Sequence, residues 1–485
     1  MTSPLRAIYS KFTRFGKALF RRIGYTIYFL NTNGRLFKNL VFLFVRHPKV
    51  FLKNLDKTNI KLFFEQHKTL STASLEDEVR KKILASLEQP LAIGNASSRH
   101  ADIFDGFNVS PPSDEKNNLL VIDRFLPAYD KNSGALRMFS ILKILNELGF
   151  KITFLPDDLG NRDPEPYIAE LQAMGVEVLH GNISVESYLR QIGSSFSFVI
   201  LSEALAAYKY ISLIRAYCIH STVIYDTVDL HWVRTERASA LTGDNELHKE
   251  SVYFKQTELL TASCSDIVFT VTYDEKEILL TEIPELKIHV VPNIHEVVKT
   301  GVKPFQARRD IMFIGHYLHK PNEDAVFFFV NEILPMIRKE LPGIRFFVAG
   351  SNPTEDISRL NSEDIQVTGF VKDVTPYFEN CRVFIAPLRF GAGMKGKIGQ
   401  SMTFGLPVVT TKIGAEGIGL VHGETALIAD TPHEFADLVV QLYSNEELWN
   451  RISKKSVTHV TENFSPEIMK RKLAEIFTDF PSVSK

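Results

Sequence analysis

Cysteine is scarce in this sequence, and what little there is excludes two architectures. Cys218, Cys264 and Cys381 lie far apart, inside apolar segments and without a C-x-x-C spacing. They form neither a disulfide framework nor a zinc site, and they fit buried thiols in a reducing cytosol. Long apolar runs are also missing. The longest uninterrupted run near the N-terminus, Leu40 to Val45, falls far below the roughly 18 to 20 residues a membrane span needs. Arg21 and Arg22 are followed by Gly24, Thr26 and Asn31 to Asn33 rather than by a sustained apolar core, so a secretory leader is not expected. Net charge is nearly absent at -1, which gives no footprint for nucleic acid. No H-E-x-x-H motif occurs, the one H-x-x-H pair, His316 and His319, does not suggest zinc, and Asp226 and Asp229 stand three apart rather than in a D-x-D pair, so no metal is expected.

What is present is a large, ordinary globular composition with one lopsided end. At 485 residues the chain exceeds what one hydrophobic core normally supports, which predicts two folded domains and an appendage. Met1 to Lys68 holds 14 Lys or Arg against only Asp56 and Glu65, a net +12, and the rest of the chain carries -13. Within it Leu5, Ile8, Phe12, Phe15 and Leu19 recur at steps of three and four, one face of a helix, with Arg6, Lys11, Arg14, Lys17, Arg21 and Arg22 around them. Such a helix suits an anionic membrane interface, each cation near the surface being worth about 1 kcal/mol, and it suits equally a helix docked on the protein body. From Ser71 to about Lys116 the sequence turns polar, with STASLEDE and then SPPSDEKNN, and the latter reads as a linker.

At Asn118 apolar runs begin to alternate with helical segments: LLVID, KITFLP, VEVLH, FSFVILS, STVIYDTVD, DIVFTVT and KIHVVPN. The alternation restarts with DIMFIG, IRFFVAG, IQVTGFV, RVFIAP and LPVVTT, with a helix over AVFFFVNEILPMIRKEL between the first two and a mostly helical C-terminus. This is an α/β pattern of two successive Rossmann-like β/α/β domains facing a cleft, each with a parallel sheet. The expected division is a helical extension and linker over 1–115, a first domain over 116–300, a second over 301–465, and a last helix over 466–485 placed to return to the first. Ligands of such sheets sit at the carboxyl ends of the strands, so the cleft is the expected site.

One loop there is unusual. In FGAGMKGKIGQ, Gly391, Gly393 and Gly396 let the backbone approach an anion, Lys395 and Lys397 add charge, and a helix expected from Ile398 to Phe404 would aim its amides at the same point. A diphosphate uses all three features. The G-x-x-x-x-G-K-[ST] signature is missing, and G-A-G-M-K-G meets G-x-G-x-x-G by letter only. A surface turn would use the same residues.

The run from Gly391 through Gly414, Ala415, Glu416 and Gly417 resembles the C-terminal nucleotide-sugar site of GT-B glycosyltransferases, above all the GT4-like group commonly called glycosyltransferase family 1. FIGHYLHKPNEDA, GFVKDVTPYFENCRVFIAPL and, in the N-terminal half, DLHWVR resemble further blocks of that group in the same order, over about Asn118 to Phe477. The resemblance implies a nucleotide-sugar donor, no cofactor or metal, and a glycan or lipid-linked acceptor in cell-envelope polysaccharide synthesis. It implies a cytoplasmic enzyme, peripheral on the inner face of the plasma membrane where the basic end allows. It places the diphosphate against Gly391, Ala392, Gly393, Met394, Lys395, Gly396 and Lys397, with His316 and Gly350 on neighbouring loops. The base falls against Phe370, Val371 and Lys372, the donor ribose at Gln400, and Gly134 close to donor or acceptor. Asp229, His231 and Lys397 are the implied catalytic residues.

Two positions depart from the group. Many retaining relatives carry two glutamates eight apart, and here those positions are Ala392 and Gln400. Glutamine keeps an acceptor for a ribose hydroxyl but not the charge, and Ala392 offers only its backbone. In a retaining hexosyl transfer the departing phosphate takes the acceptor proton, and in an inverting one Asp229 or His231 is the base. A nucleotide-sugar epimerase and a non-catalytic glycan-binding or scaffold protein are the alternatives these departures leave open.

Overall fold

The structure is a computed structural model, and it describes residues 117–160, 163–181, 183–296 and 301–478. The expected basic helix and linker at the N-terminus lie outside the described residues. Among the described residues no helix is long and apolar enough to cross a membrane.

Two parallel sheets follow one another. The first contains β1 (Asn118–Phe125), β2 (Lys151–Asp158), β3 (Glu177–Val178), β4 (Phe198–Ser202), β5 (Thr222–Asp226), β6 (Ile267–Thr270) and β7 (Ile288–Val290), in the spatial order β3-β2-β1-β4-β5-β6-β7. The second contains β8 (Ile311–Ile314), β9 (Phe346–Ala349), β10 (Ile365–Gly369), β11 (Val383–Ala386), β12 (Val408–Thr410) and β13 (Leu427–Ile428), in the order β10-β9-β8-β11-β12-β13. Leu119 to Ile122 are wholly buried, as a parallel strand covered by helices on both faces requires. In each sheet the chain reverses direction of growth beside the first strand, between β1 and β4 and between β8 and β11, the switch point at which open sheets of this type hold ligands.

Four local readings are corrected. β5 stops at Asp226 rather than running on to Asp229, because Val228 takes a positive φ of 63°, outside strand geometry. The helix expected to run through AVFFFVNEILPMIRKEL is broken by a π-turn at Phe329–Ile333 directly ahead of Pro335. Proline offers no N–H and crowds the carbonyl four residues back, and the wider turn relieves both. The helix after the glycine loop spans Gly396–Thr403, two residues earlier than its apolar stretch suggests. β13 was not expected, since a strand of two residues is too short to carry a periodic signal.

The last helix, Pro466–Thr478, packs on the first sheet's layer. Phe477 meets the rings of Phe150 at 4.9 Å and Phe198 at 5.0 Å, and Lys470 pairs with Glu147 at 2.8 Å.

Candidate active site

The glycine loop between β11 and the helix Gly396–Thr403 presents amides and hides carbonyls. The Gly391 carbonyl accepts from Arg237 Nη1 at 2.7 Å, that of Gly393 from Lys395 Nζ at 2.9 Å, and that of Met394 from Asn293 Nδ2 at 3.1 Å. The Lys395 carbonyl accepts from the Ile398 amide at 2.9 Å. None of the N–H groups of Gly391 to Gly396 donates to an acceptor among the described residues. Successive unsatisfied amides form a concavity that suits an anion. A Cβ on Gly396 would lie 2.6 Å from the Ser133 Cβ, so the start of this helix abuts the start of the helix Ser133–Glu147. Two positive helix ends therefore meet at the loop, with Gly134 in the first turn of one of them.

The two lysines have different places. Lys395 is buried, with its ammonium turned to the Gly393 carbonyl and 3.6 Å from Glu416, so it braces the loop rather than standing open as the cation the sequence reading expected. Lys397 donates to Asn322 Oδ1 and lies 4.5 Å from the centre of the Phe313 ring. Burial, with the charge of Lys395 added, pushes its ammonium down to about 7. Asn322 in turn donates to the His316 carbonyl at 2.9 Å, and His316 Nδ1 sits 2.8 Å from Ser351 Oγ.

Facing the loop is a charged cluster at the carboxyl ends of β1, β4 and β5. A Cβ on Gly393 would fall 2.9 Å from the Asp229 Cβ, which brings Asp229 to the loop itself. His231, 7% exposed, is held at both ring nitrogens: Nε2 is 3.0 Å from Glu203 Oε1 and Nδ1 is 3.3 Å from Asp229 Oδ1. Burial and Arg234 push the imidazole down, but Asp229 and Glu203 outweigh them and hold it above its ordinary value. Burial would raise Asp229, yet Arg234, which bonds its carboxylate, and His231 hold it below the usual range. Burial likewise opposes ionisation of Glu203, while His231 and Arg124 pull it down to about 2. Behind them Glu258 caps the His231 and Trp232 amides at 3.1 and 3.0 Å, and burial pushes its carboxyl up to about 7. Asp226 and Arg137 form a doubly bonded pair at 2.8 and 2.9 Å, each 1% exposed, that ties β5 to the helix Ser133–Glu147.

Glu203, Arg124, Arg234, Arg237 and Asn293 were not singled out from sequence. Arg234 and Arg237 were readable, since His231, Arg234 and Arg237 recur every three residues on the helix His231–Thr242. Glu203 was not, because its position depends on a positive φ of 66° that no residue type announces.

The remaining predicted residues line the same side of the second sheet. Gly350 is a packing position, as a Cβ there would stand 1.9 Å from the Gly315 carbonyl oxygen. Phe370 is 46% exposed just past β10, with Lys131 Nζ 3.6 Å from its ring centre, and Val371 and Lys372 continue the loop. Ala392 and Gln400 are both half-buried, in the loop and one turn into its helix. Among the described residues no group of three or more His, Cys, Asp or Glu is placed to hold a metal ion.

Residues 308–445 match the family model described as Glycosyl transferases group 1. An uncharacterized 44.6 kDa protein in the cps region of Klebsiella pneumoniae is 25% identical over 179 residues, which cover 35% of this chain and 45% of that protein. This chain spans less than half the length of the curated relatives it matches. Among solved structures, sucrose-phosphate synthase from Thermosynechococcus elongatus superposes with a TM-score of 0.58 at 11% identity, covering 75% of this chain and 98% of that one. Anabaena HepE in complex with UDP and glucose gives 0.55 at 11% identity, covering 75% and 100%. Residues 308–445 are thus similar to the glycosyl transferases group 1 family, and the two parallel α/β halves share the GT-B fold of these solved structures.

Proposed function

We propose that this chain is a glycosyltransferase that moves a hexose from a nucleotide-sugar donor to a glycan or lipid-linked acceptor in envelope polysaccharide synthesis. The observation that carries the reading is the run of amides from Gly391 to Gly396 without acceptors, opposite the Asp229–His231 pair. The diphosphate would lie on those amides beside Lys397, with the base against Phe370 to Lys372 and the ribose at Gln400. HepE, solved with UDP and glucose, supports a uridine nucleotide. The cps-region relative supports the pathway.

In this reading transfer retains configuration. Both ring nitrogens of His231 are engaged by Glu203 and Asp229, and Arg234 holds Asp229 below the usual carboxylate range, so neither offers a free basic atom to the acceptor hydroxyl. The acceptor hydroxyl attacks the anomeric carbon, the bond to the diphosphate breaks, and the hydroxyl proton passes to the leaving phosphate oxygen. The amide array and Lys397 stabilise the charge that develops there, the kind of term whose loss costs roughly 10²- to 10³-fold. The +12 charge of residues 1–68 supports an anionic membrane surface as the place of work.

The test is release of nucleoside diphosphate from a panel of sugar donors, with the anomeric configuration of the product read by proton NMR. Release from at least one donor with retained configuration is expected. No release from any donor, with or without acceptor glycans, would sink the reading.

A further inference from the structure

A loop that binds an anion through its amides needs something else to hold its carbonyls. In this protein two of those holders come from the other half of the fold. Arg237 on the helix His231–Thr242 donates to the Gly391 carbonyl, and Asn293, just past β7, donates to that of Met394. Both contacts bridge more than a hundred residues of chain. Arg237 is itself fixed by two bonds to Glu416, at 2.7 and 3.0 Å. Glu416 also lies 3.6 Å from Lys395, whose ammonium holds the Gly393 carbonyl.

Peptide planarity converts these contacts into a direction. In a trans peptide the C=O of one residue and the N–H of the next point opposite ways, and the described chain has no cis peptide bond. Turning the Gly391, Gly393 and Met394 carbonyls toward Arg237, Lys395 and Asn293 therefore turns the Ala392, Met394 and Lys395 amides the other way. Those are among the amides that find no acceptor. Glycine at 391 and 393, with φ of 147° and 65°, allows the flips.

We propose that Arg237, clamped by Glu416, and Asn293 are positioning residues that set the peptide orientation of the diphosphate cradle, so that the cradle is complete only while the two sheets' halves are in contact. This rests on the nucleotide-sugar reading above. It adds that donor affinity is controlled by side chains of the half that does not hold the donor loop, and that opening the cleft would release the nucleoside diphosphate by relaxing the carbonyls.

The test titrates full-length wild type, Arg237→Ala, Arg237→Lys and Asn293→Ala with UDP, inorganic pyrophosphate and uridine, using NMR for the weak ligands. Arg237→Ala and Asn293→Ala should each weaken UDP and pyrophosphate about tenfold, the loss of roughly one charge-assisted or buried hydrogen bond. Uridine should change less than about twofold on the same scale. Arg237→Lys should recover part of the loss, since an ammonium can reach one carbonyl but cannot fork onto Glu416 as well. Unchanged pyrophosphate affinity in both alanine variants overturns the proposal, and so does an equal loss for uridine, which would mean general damage. A wild type that binds pyrophosphate but no nucleotide defeats the nucleotide-sugar reading while leaving the cradle to be judged on pyrophosphate alone. A wild type that binds neither defeats both.

Discussion

Asp229 and Gly393 touch across the two halves of the molecule: a Cβ added to Gly393 would lie 2.9 Å from that of Asp229, with Val271 Cγ2 at 3.3 Å. The contact joins the end of the β5 loop to the centre of the amide array.

Gly393→Ala should therefore fail twice, by steric overlap with Asp229 and by strain at a φ of 65°. The loop must shift by a good fraction of an ångström to admit the methyl group. We expect kcat/KM to fall about 100-fold, the scale of such a displacement in an active site, with an unchanged circular dichroism spectrum. Activity within threefold of wild type would mean that the loop is not held in this geometry during turnover.

Lys397 gives a proton linkage. With its ammonium near 7 in the free protein, it is largely neutral at pH 8, and a bound diphosphate favours the charged form. Nucleoside diphosphate binding at pH 8 should take up a proton, and affinity should fall as pH rises through 7 and beyond. Calorimetry in buffers of different ionisation enthalpy reads the uptake, and Lys397→Met should abolish it. The sign for folding follows from the same shift. The unfolded chain binds more protons between about 7 and the ordinary lysine value, so this group's contribution to stability rises with pH across that window.

Glu203 and His231 support each other's charge. His231, held above its ordinary value, contributes stability that is present below about 6.5 and lost as pH rises through its folded value. Glu203, drawn down to about 2, contributes stability present above its ordinary 4.5 and lost as pH falls through about 2. Glu203→Gln should lower the His231 value, read by NMR titration of the ring. It should destabilise the fold by about 3 kcal/mol, since it leaves the buried His231 ring with one charged partner fewer. An unmoved His231 titration would show that Asp229 alone holds the proton.

Much of the architecture is written locally. Apolar runs such as LLVID and DIMFIG, separated by helical segments, specify parallel strands because burial on both faces needs continuous apolar residues, and that signal needs no knowledge of the partner strand. The glycines of Gly391 to Gly396 and the break at Pro335 are local as well, though the π-turn that relieves Pro335 was not read from it. The end of β5 at Asp226 was not legible, because it depends on a positive φ at Val228, a residue type that rarely adopts one.

The sequence by itself determined two α/β halves and a glycine-rich loop carrying two lysines, since periodicity and glycine content act over a few residues. Only the tertiary structure decided what each charge in that loop does. Lys395 and Lys397 are two positions apart, yet one braces a carbonyl beside Glu416 while the other stands against Asn322 and Phe313 with a depressed ammonium. Arg237 and Asn293 reach the loop from 154 and 101 residues away. Charge state and peptide orientation depend on which groups lie within a few ångströms, and those neighbours come from chain segments that only folding brings together.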